Sequence, residues 1–160
     1  MSNPSLRPMP VEFHPNVSTI YDSGQLDDGS LFFAMEHLRG LDLAQMVRSY
    51  GPGSPRQVAS LLRQVGSALG AVHKAGLIHR DIKPKNIFLV EDKDGFRAKI
   101  LDFGIAKPIE GDLSLTRAGT FIGTPAYMAP EQIENGGVVD TRTDLYSLAA
   151  VTYEALVGRR

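Results

Sequence analysis

One short stretch of the chain concentrates side chains that could take part in catalysis. It runs His79-Arg80-Asp81-Ile82-Lys83-Pro84-Lys85-Asn86, with a carboxylate, an ammonium group and an amide close together. Two further strings follow, Asp102-Phe103-Gly104 and Ala129-Pro130-Glu131. Carboxylate and amide oxygens are the ligands that Mg²⁺ prefers in proteins. An amide near Asp81 supplies an oxygen without another full negative charge, so these residues are candidates for metal-assisted chemistry.

The order and spacing of these strings resemble the protein kinase family: a catalytic loop, a metal-binding triplet, an activation segment and a closing triplet. Each triplet alone is a weak signal, whereas the eight-residue loop is much more specific. All three in order, with Gly123-Thr124-Pro125 in place, make a chance match very rare. The resemblance covers residues 13–160. The local sequence of residues 124–132 is similar to that of bacterial Ser/Thr kinases of eukaryotic type.

This resemblance implies transfer of the ATP γ-phosphate to Ser or Thr hydroxyls of protein substrates, a reaction that depends on positioning and charge neutralisation. Asp81 matches the catalytic aspartate, and Lys83 matches the lysine that steadies the transferring phosphate. Thr124 matches the threonine that bonds to both and shapes the site. Asn86 and Asp102 match the two metal-binding side chains, with Mg²⁺, or alternatively Mn²⁺, as the metal.

The resemblance also implies where the nucleotide binds. The Glu36 carbonyl and the Leu38 amide match the groups that bond adenine, and Phe88 would lie under the adenine ring. Asp42 matches the acidic residue that holds the ribose. Two of these residues have plain alternatives, because Asp42 also suits the first turn of a helix and Phe88 also suits a hydrophobic core.

A regulatory role follows for Arg80, which matches the arginine that binds a phosphate on the activation loop through its guanidinium group. Thr116 and Thr120 are the main candidate phosphate acceptors, although either could be only a polar loop residue. A second kinase domain acting in trans is a candidate partner besides protein substrates. Asp144 matches the acidic residue that holds the catalytic-loop backbone, and a carboxylate there also suits a helix start.

Composition limits the other classes of function. The 160 residues carry a net charge of −1, which gives no indication of a nucleic-acid partner. There is no cysteine, so disulfides and thiolate chemistry are excluded. No apolar run approaches the roughly 18–20 residues of a membrane span. We therefore expect no membrane segment in this chain and a cytoplasmic location, although a parent chain could be anchored outside this region.

Periodicity and turn residues predict an α+β fold. Residues 1–12 form an irregular tail, 13–38 a remnant of an antiparallel small-lobe sheet with a hinge, and 39–160 a truncated, mostly helical large lobe. The predicted elements are a strand pair, Val17–Tyr21 with Leu31–Met35, a helix Leu41–Tyr50, a capped helix from Ser54 to Gly76, a hairpin of Ile87–Val90 with Lys99–Leu101, a long loop over 107–130 and a buried helix Asp140–Val157.

The sequence departs from the family pattern in its first part. It has no glycine-rich phosphate loop and no Val-Ala-Ile-Lys strand, so the phosphate-gripping lysine and its glutamate partner are missing. Losing a charged phosphate contact can cost on the order of 10²–10³ in rate. The alternative interpretation is therefore an inactive truncated kinase that acts as a binding decoy or scaffold. A small-molecule kinase is a third interpretation, which Thr124 and its neighbours disfavour. We also expect the isolated chain to be only marginally stable.

Overall fold

The computed structural model describes residues 14–26, 28–93, 95–101, 125–134 and 137–159. The described strands form two small antiparallel sheets. Strand β1, Ile20–Gln25, pairs with β2, Leu31–Met35. Strands β3, Gly40–Asp42, β4, Ile87–Asp92, and β5, Gly95–Ile100, form the second sheet in that order.

The helices follow mostly local signals. Helix α1 spans Leu43–Tyr50, α2 spans Pro55–Lys74, α3 spans Pro130–Ile133 and α4 spans Thr141–Val157. The predicted start of α2 is confirmed, because Ser54 and Gln57 form the expected capping box and Pro55 is the first helical residue. Short 3₁₀ turns lie at Pro84–Asn86 and Pro125–Tyr127.

The core lies between α2, α4 and the second sheet. Helix α2 contacts both α4 and β5. Its buried face repeats at helical spacing, and this face is built from Val58, Leu61, Val65, Ala68, Leu69 and Val72. Burial of an aliphatic side chain contributes roughly 1.5–3 kcal/mol relative to exposure. This packing fixes the end of α2, from which the catalytic loop departs.

Two predicted boundaries are wrong. Asp22-Ser23-Gly24 is not a turn but lies within β1, where these residues pair with Phe32–Ala34. The first two residues of the helix predicted to start at Leu41 belong instead to β3, which pairs with β4. In both places, hydrogen bonds to a partner strand outweigh the local preference.

Helix α4 also differs from its prediction. One side is buried through Leu148, Val151 and Ala155, but Tyr146 and Tyr153 are exposed. The helix is therefore apolar on a face that the described residues do not cover, rather than buried all round. Within the described ranges, no helix is both long enough and apolar enough to cross a bilayer.

Candidate active site

The catalytic loop joins α2 to β4 and brings three predicted residues into contact. The Lys83 ammonium donates to Oδ2 of Asp81 at 2.8 Å. Nδ2 of Asn86 donates to the same oxygen at 3.2 Å and to the Asp81 carbonyl at 2.9 Å. Both side-chain contacts use Oδ2 of Asp81 rather than Oδ1.

A buried carboxylate on α4 holds the backbone of this loop. Asp144 is fully buried and accepts from the His79 amide at 2.9 Å and from the Arg80 amide at 2.8 Å. Nε2 of His73, in the last turn of α2, lies 2.7 Å from Oδ2 of Asp144. The carboxylate therefore does more than favour the start of α4. The contact with His73 was not foreseen, since a histidine late in a helix has a sufficient local explanation.

Residue 80 adopts an unusual backbone conformation. Arg80 is the only non-glycine residue among the described ranges with a positive φ, at 66°. Such a conformation costs an L-residue on the order of 1–2 kcal/mol and needs support from its surroundings. Its side chain is exposed and forms no ion pair with a described carboxylate.

The end of β5 is tied to the same loop. The His79 ring bonds to the Leu101 carbonyl at 2.9 Å through Nε2, and the Leu101 amide donates to the Asn86 carbonyl at 2.9 Å. His79, which the sequence analysis gave no chemical role, is thus a polar link as well as a fully buried side chain. Leu101, the last described residue before Asp102, is therefore tied to the catalytic loop at both its carbonyl and its amide.

Several predicted site residues lie outside the described part of the chain. They are Asp102, Thr116, Thr120 and Thr124. Their predicted roles as metal ligand, phosphate acceptors and site-shaping threonine stay predictions.

The predicted hinge contains an ion pair that the sequence did not reveal. Glu36 accepts from the Lys99 ammonium at 2.6 Å and from the Thr19 amide at 2.8 Å. Burial raises the pKa of Glu36, but the hydrogen bonds and the charge of Lys99 outweigh it, so the pKa lies below its ordinary value of 4.5. The Thr19 amide bonds the Glu36 side chain instead of the Glu36 carbonyl, the group predicted to bond adenine.

The other predicted nucleotide-binding residues lie on β3, on β4 and in the connection after β2. Phe88 is half-buried on β4, between Asp42 of β3 and Lys99 of β5 in the strand register. Asp42 caps α1, because its Oδ1 accepts from the Gln45 amide at 2.7 Å. The helix-start interpretation of Asp42 is confirmed, and its ribose contact stays a prediction. Leu38 follows β2 in the connection to β3.

Of the two predicted metal ligands, Asn86 lies in the described part of the chain, and its amide oxygen suits a hard cation. The Asn86 side-chain amide forms both of its bonds to Asp81 through its nitrogen, so Oδ1 is the atom that could bind a metal ion. Amide oxygens are suitable ligands for Mg²⁺, which commonly keeps several waters and takes one or two protein ligands.

Comparisons with known proteins agree with this geometry. Residues 8–160 match the family described as "Protein kinase domain". The chain is 44% identical over 150 residues to the serine/threonine-protein kinase pkn3 of Myxococcus xanthus, covering 91% of this chain and 27% of that protein. It is 42% identical over 144 residues to PknE of Mycobacterium tuberculosis, covering 90% of this chain and 24% of that protein.

The fold has a solved counterpart. A crystal structure of Rad53 residues 1–466 in complex with AMP-PNP superposes with a TM-score of 0.73 at 31% identity, covering 92% of this chain and 35% of that one. The chain spans about a quarter of the length of the two curated relatives. The match over residues 8–160 and the identity to these relatives show that the chain belongs to the protein kinase family, as a Ser/Thr kinase domain of bacterial type.

Proposed function

We propose that this chain carries the phosphoryl-transfer machinery of a protein kinase that phosphorylates Ser and Thr hydroxyls of proteins. One observation carries the proposal: Lys83 and Asn86 both bond to Oδ2 of Asp81, on a loop whose backbone is held by the buried Asp144. Phosphoryl transfer asks a protein mainly for positioning and electrostatic stabilisation, and this loop is held in place for both.

Each side chain has a role consistent with its contacts. Asp81 orients the substrate hydroxyl and accepts its proton at Oδ1, while Oδ2 stays bonded to its two neighbours. Lys83 keeps a positive charge beside this carboxylate, where it can neutralise charge on the transferring group. Asn86, together with Asp102, would hold Mg²⁺ or Mn²⁺ through oxygen atoms. The bound metal–ATP complex supplies the phosphoryl group and neutralises its charge.

The hinge would bind the adenine end of ATP. Two observations support this assignment. The Thr19 amide donates to the Glu36 side chain and not to the Glu36 carbonyl, and Phe88 pairs with Asp42 in the sheet. We assign adenine to the backbone of Glu36 and Leu38, the ribose to Asp42 and the underside of the ring to Phe88.

Regulation would act through Arg80. Its exposed guanidinium has no described ion-pair partner, so it can bind a phosphorylated Thr116 or Thr120. A second kinase domain in trans is a suitable source of that phosphate. We place this activity in the cytoplasm, where ATP and protein substrates are available.

One sequence observation favours a second candidate function. The 160 residues contain no Val-Ala-Ile-Lys strand, and the Lys–Glu pair of that region must be in place for transfer in protein kinases. A chain that lacks this pair could bind a kinase or its substrate as a decoy or scaffold without transferring phosphate.

The two candidates differ in a direct experiment. The native protein is captured from its source cells with an antibody to residues 54–76, its mass is measured, and transfer from radiolabelled ATP to Ser/Thr peptides is followed. The kinase proposal expects a mass above 17.4 kDa and transfer that falls about 10²–10⁴-fold in Asp81→Asn. A mass of 17.4 kDa with no transfer would favour the decoy or scaffold.

A matched pair of lysines controls for non-specific loss of charge. Lys83 contacts Asp81, whereas Lys85, two residues later, is exposed and has no such contact. Lys83→Met is expected to reduce transfer strongly, and Lys85→Met to leave it nearly unchanged. Equal effects of the two variants would contradict the role assigned to Lys83.

A further inference from the structure

Three helices begin with the same kind of cap, and in one of them the capping side chain also contacts the catalytic loop. Helices α1, α2 and α3 each have a glutamine at the third helical position, whose side-chain oxygen accepts from the backbone amide of the N-cap residue. These glutamines are Gln45, Gln57 and Gln132. Such contacts are ordinary helix capping. Among the described residues, only the third of these glutamine side chains also hydrogen-bonds to a segment outside its own helix start.

Gln132 also bonds to the catalytic loop. Its Nε2 donates to the Arg80 carbonyl at 2.9 Å, while its Oε1 accepts from the Ala129 amide at 3.0 Å. One planar amide therefore links the Ala129-Pro130-Glu131 segment to the residue that directly precedes Asp81. The two bonded groups are separated by 49 residues along the chain, between residues 80 and 129.

Residue 80 is the strained residue of the loop, and both of its backbone polar groups are now accounted for. Asp144 of α4 accepts from the Arg80 amide, and Gln132 of α3 donates to the Arg80 carbonyl. A neutral hydrogen bond contributes about 1 kcal/mol net, and one to a charged group about 1.5–3 kcal/mol. Together these bonds offset the roughly 1–2 kcal/mol cost of the positive φ.

Helix α3 is itself fixed against α4. The Thr143 hydroxyl donates to Oε1 of Glu131 at 2.7 Å, and the Ser147 hydroxyl donates to the Tyr127 carbonyl at 2.7 Å. Gln132 thus reaches the catalytic loop from a segment with its own attachments. A displacement of the Ala129-Pro130-Glu131 segment would move the donor away from Arg80.

We propose that Gln132 is a positioning residue for the kinase reaction. It holds the Arg80 peptide in its left-handed conformation and so sets the direction of the Asp81 side chain, and it makes this direction depend on the placement of Ala129-Pro130-Glu131. The proposal rests on the proposed kinase function for its purpose. The contact and its effect on the loop can be measured without nucleotide or transfer.

The test uses Gln132→Glu with Gln57→Glu as the matched control. Glutamate keeps the oxygen that caps the helix but loses the NH₂ donor. At neutral pH, Gln132→Glu therefore places a carboxylate against the Arg80 carbonyl, whereas Gln57→Glu keeps an ordinary Ser-x-x-Glu capping box. Amide hydrogen exchange and the ¹³C shift of the Arg80 carbonyl are followed by NMR on the 160-residue chain.

Exchange of the Arg80 and Asp81 amides is expected to rise about fivefold or more in Gln132→Glu, which corresponds to loss of one net hydrogen bond. The Arg80 carbonyl shift should move as well, while amides in the middle of α2 keep their wild-type exchange rates. Gln57→Glu should change none of these signals.

Two results would overturn the proposal. One is an unchanged Arg80 carbonyl shift and unchanged exchange at Arg80 and Asp81. The other is a rise spread equally over α2, which would show a general loss of stability. If Gln132→Glu does not fold, Gln132→Met serves instead, since it removes both contacts without adding charge. Failure of the transfer assay would leave these outcomes unaffected, so the two proposals can fail separately.

Discussion

Replacing Asp144 by Asn tests how the catalytic loop is held. The buried carboxylate accepts three bonds, from the His79 amide, the Arg80 amide and the His73 ring. In Asp144→Asn, one oxygen can still accept, but the new NH₂ group faces groups that are themselves donors. Each buried donor left without an acceptor costs about 1–3 kcal/mol. In either orientation of the new amide at least one backbone donor loses its acceptor, so we expect a loss of about 1–3 kcal/mol in the free energy of unfolding.

The assay is urea unfolding followed by circular dichroism, with Asp140→Asn as the control. Asp140 caps the same helix but is only half-buried, and Asn caps a helix about as well as Asp. Its exposed ion pair with Arg142 contributes about 0–1 kcal/mol, so this variant should lose less than about 1 kcal/mol. If Asp144→Asn were no more destabilising than Asp140→Asn, the carboxylate could not be what holds the loop.

Three smaller predictions use the same unfolding measurement. Glu36→Gln should lose about 1–2 kcal/mol at pH 7. Because Lys99 lowers the pKa of Glu36 despite burial, the stability difference between wild type and Glu36→Gln should be present above pH 4.5. It should disappear as the pH falls through the folded-state pKa of Glu36, and a pH-independent difference would contradict the assignment. Gly40→Ala should destabilise by about 2 kcal/mol or more, since a Cβ there would lie 2.0 Å from the Leu89 carbonyl oxygen at a φ of +152°. Gly66→Ala, in α2 with open space around it, should stabilise by about 0.5–1 kcal/mol, and a loss there would refute the helix-propensity argument.

The parts of the fold that the sequence predicted well are those with local causes. Helix α2 was located by Ser54, Pro55 and Gln57, whose capping contacts lie within four residues of each other. Strand β1 was misplaced because Asp22-Ser23-Gly24 has the composition of a turn, and only pairing with β2 shows that it is a strand. Local chemistry cannot reveal which partner strand is available.

The same distinction between local and long-range causes applies to the candidate active site. Asp81, Lys83 and Asn86 were predicted because they lie in one short string, and the structure brings them into contact. Lys99 and Gln132 were missed because their partners lie 63 and 52 residues away along the chain. Neither residue type nor spacing indicates such a contact, so these long-range bonds required the fold.

An activity assay alone would not distinguish two properties, the positioning of the Asp81 side chain and the binding of the ATP phosphates. The direction of the Asp81 side chain depends on Asp144, on Gln132 and on the link between His79 and Leu101, all of which are present in this chain. In protein kinases the grip on the ATP phosphates depends on a lysine in a Val-Ala-Ile-Lys strand, and these 160 residues do not contain that string. A failure to transfer phosphate could therefore coexist with a fully ordered catalytic loop. Structural measurements on the loop test its positioning directly, because pre-organisation is a property of the loop before any substrate binds.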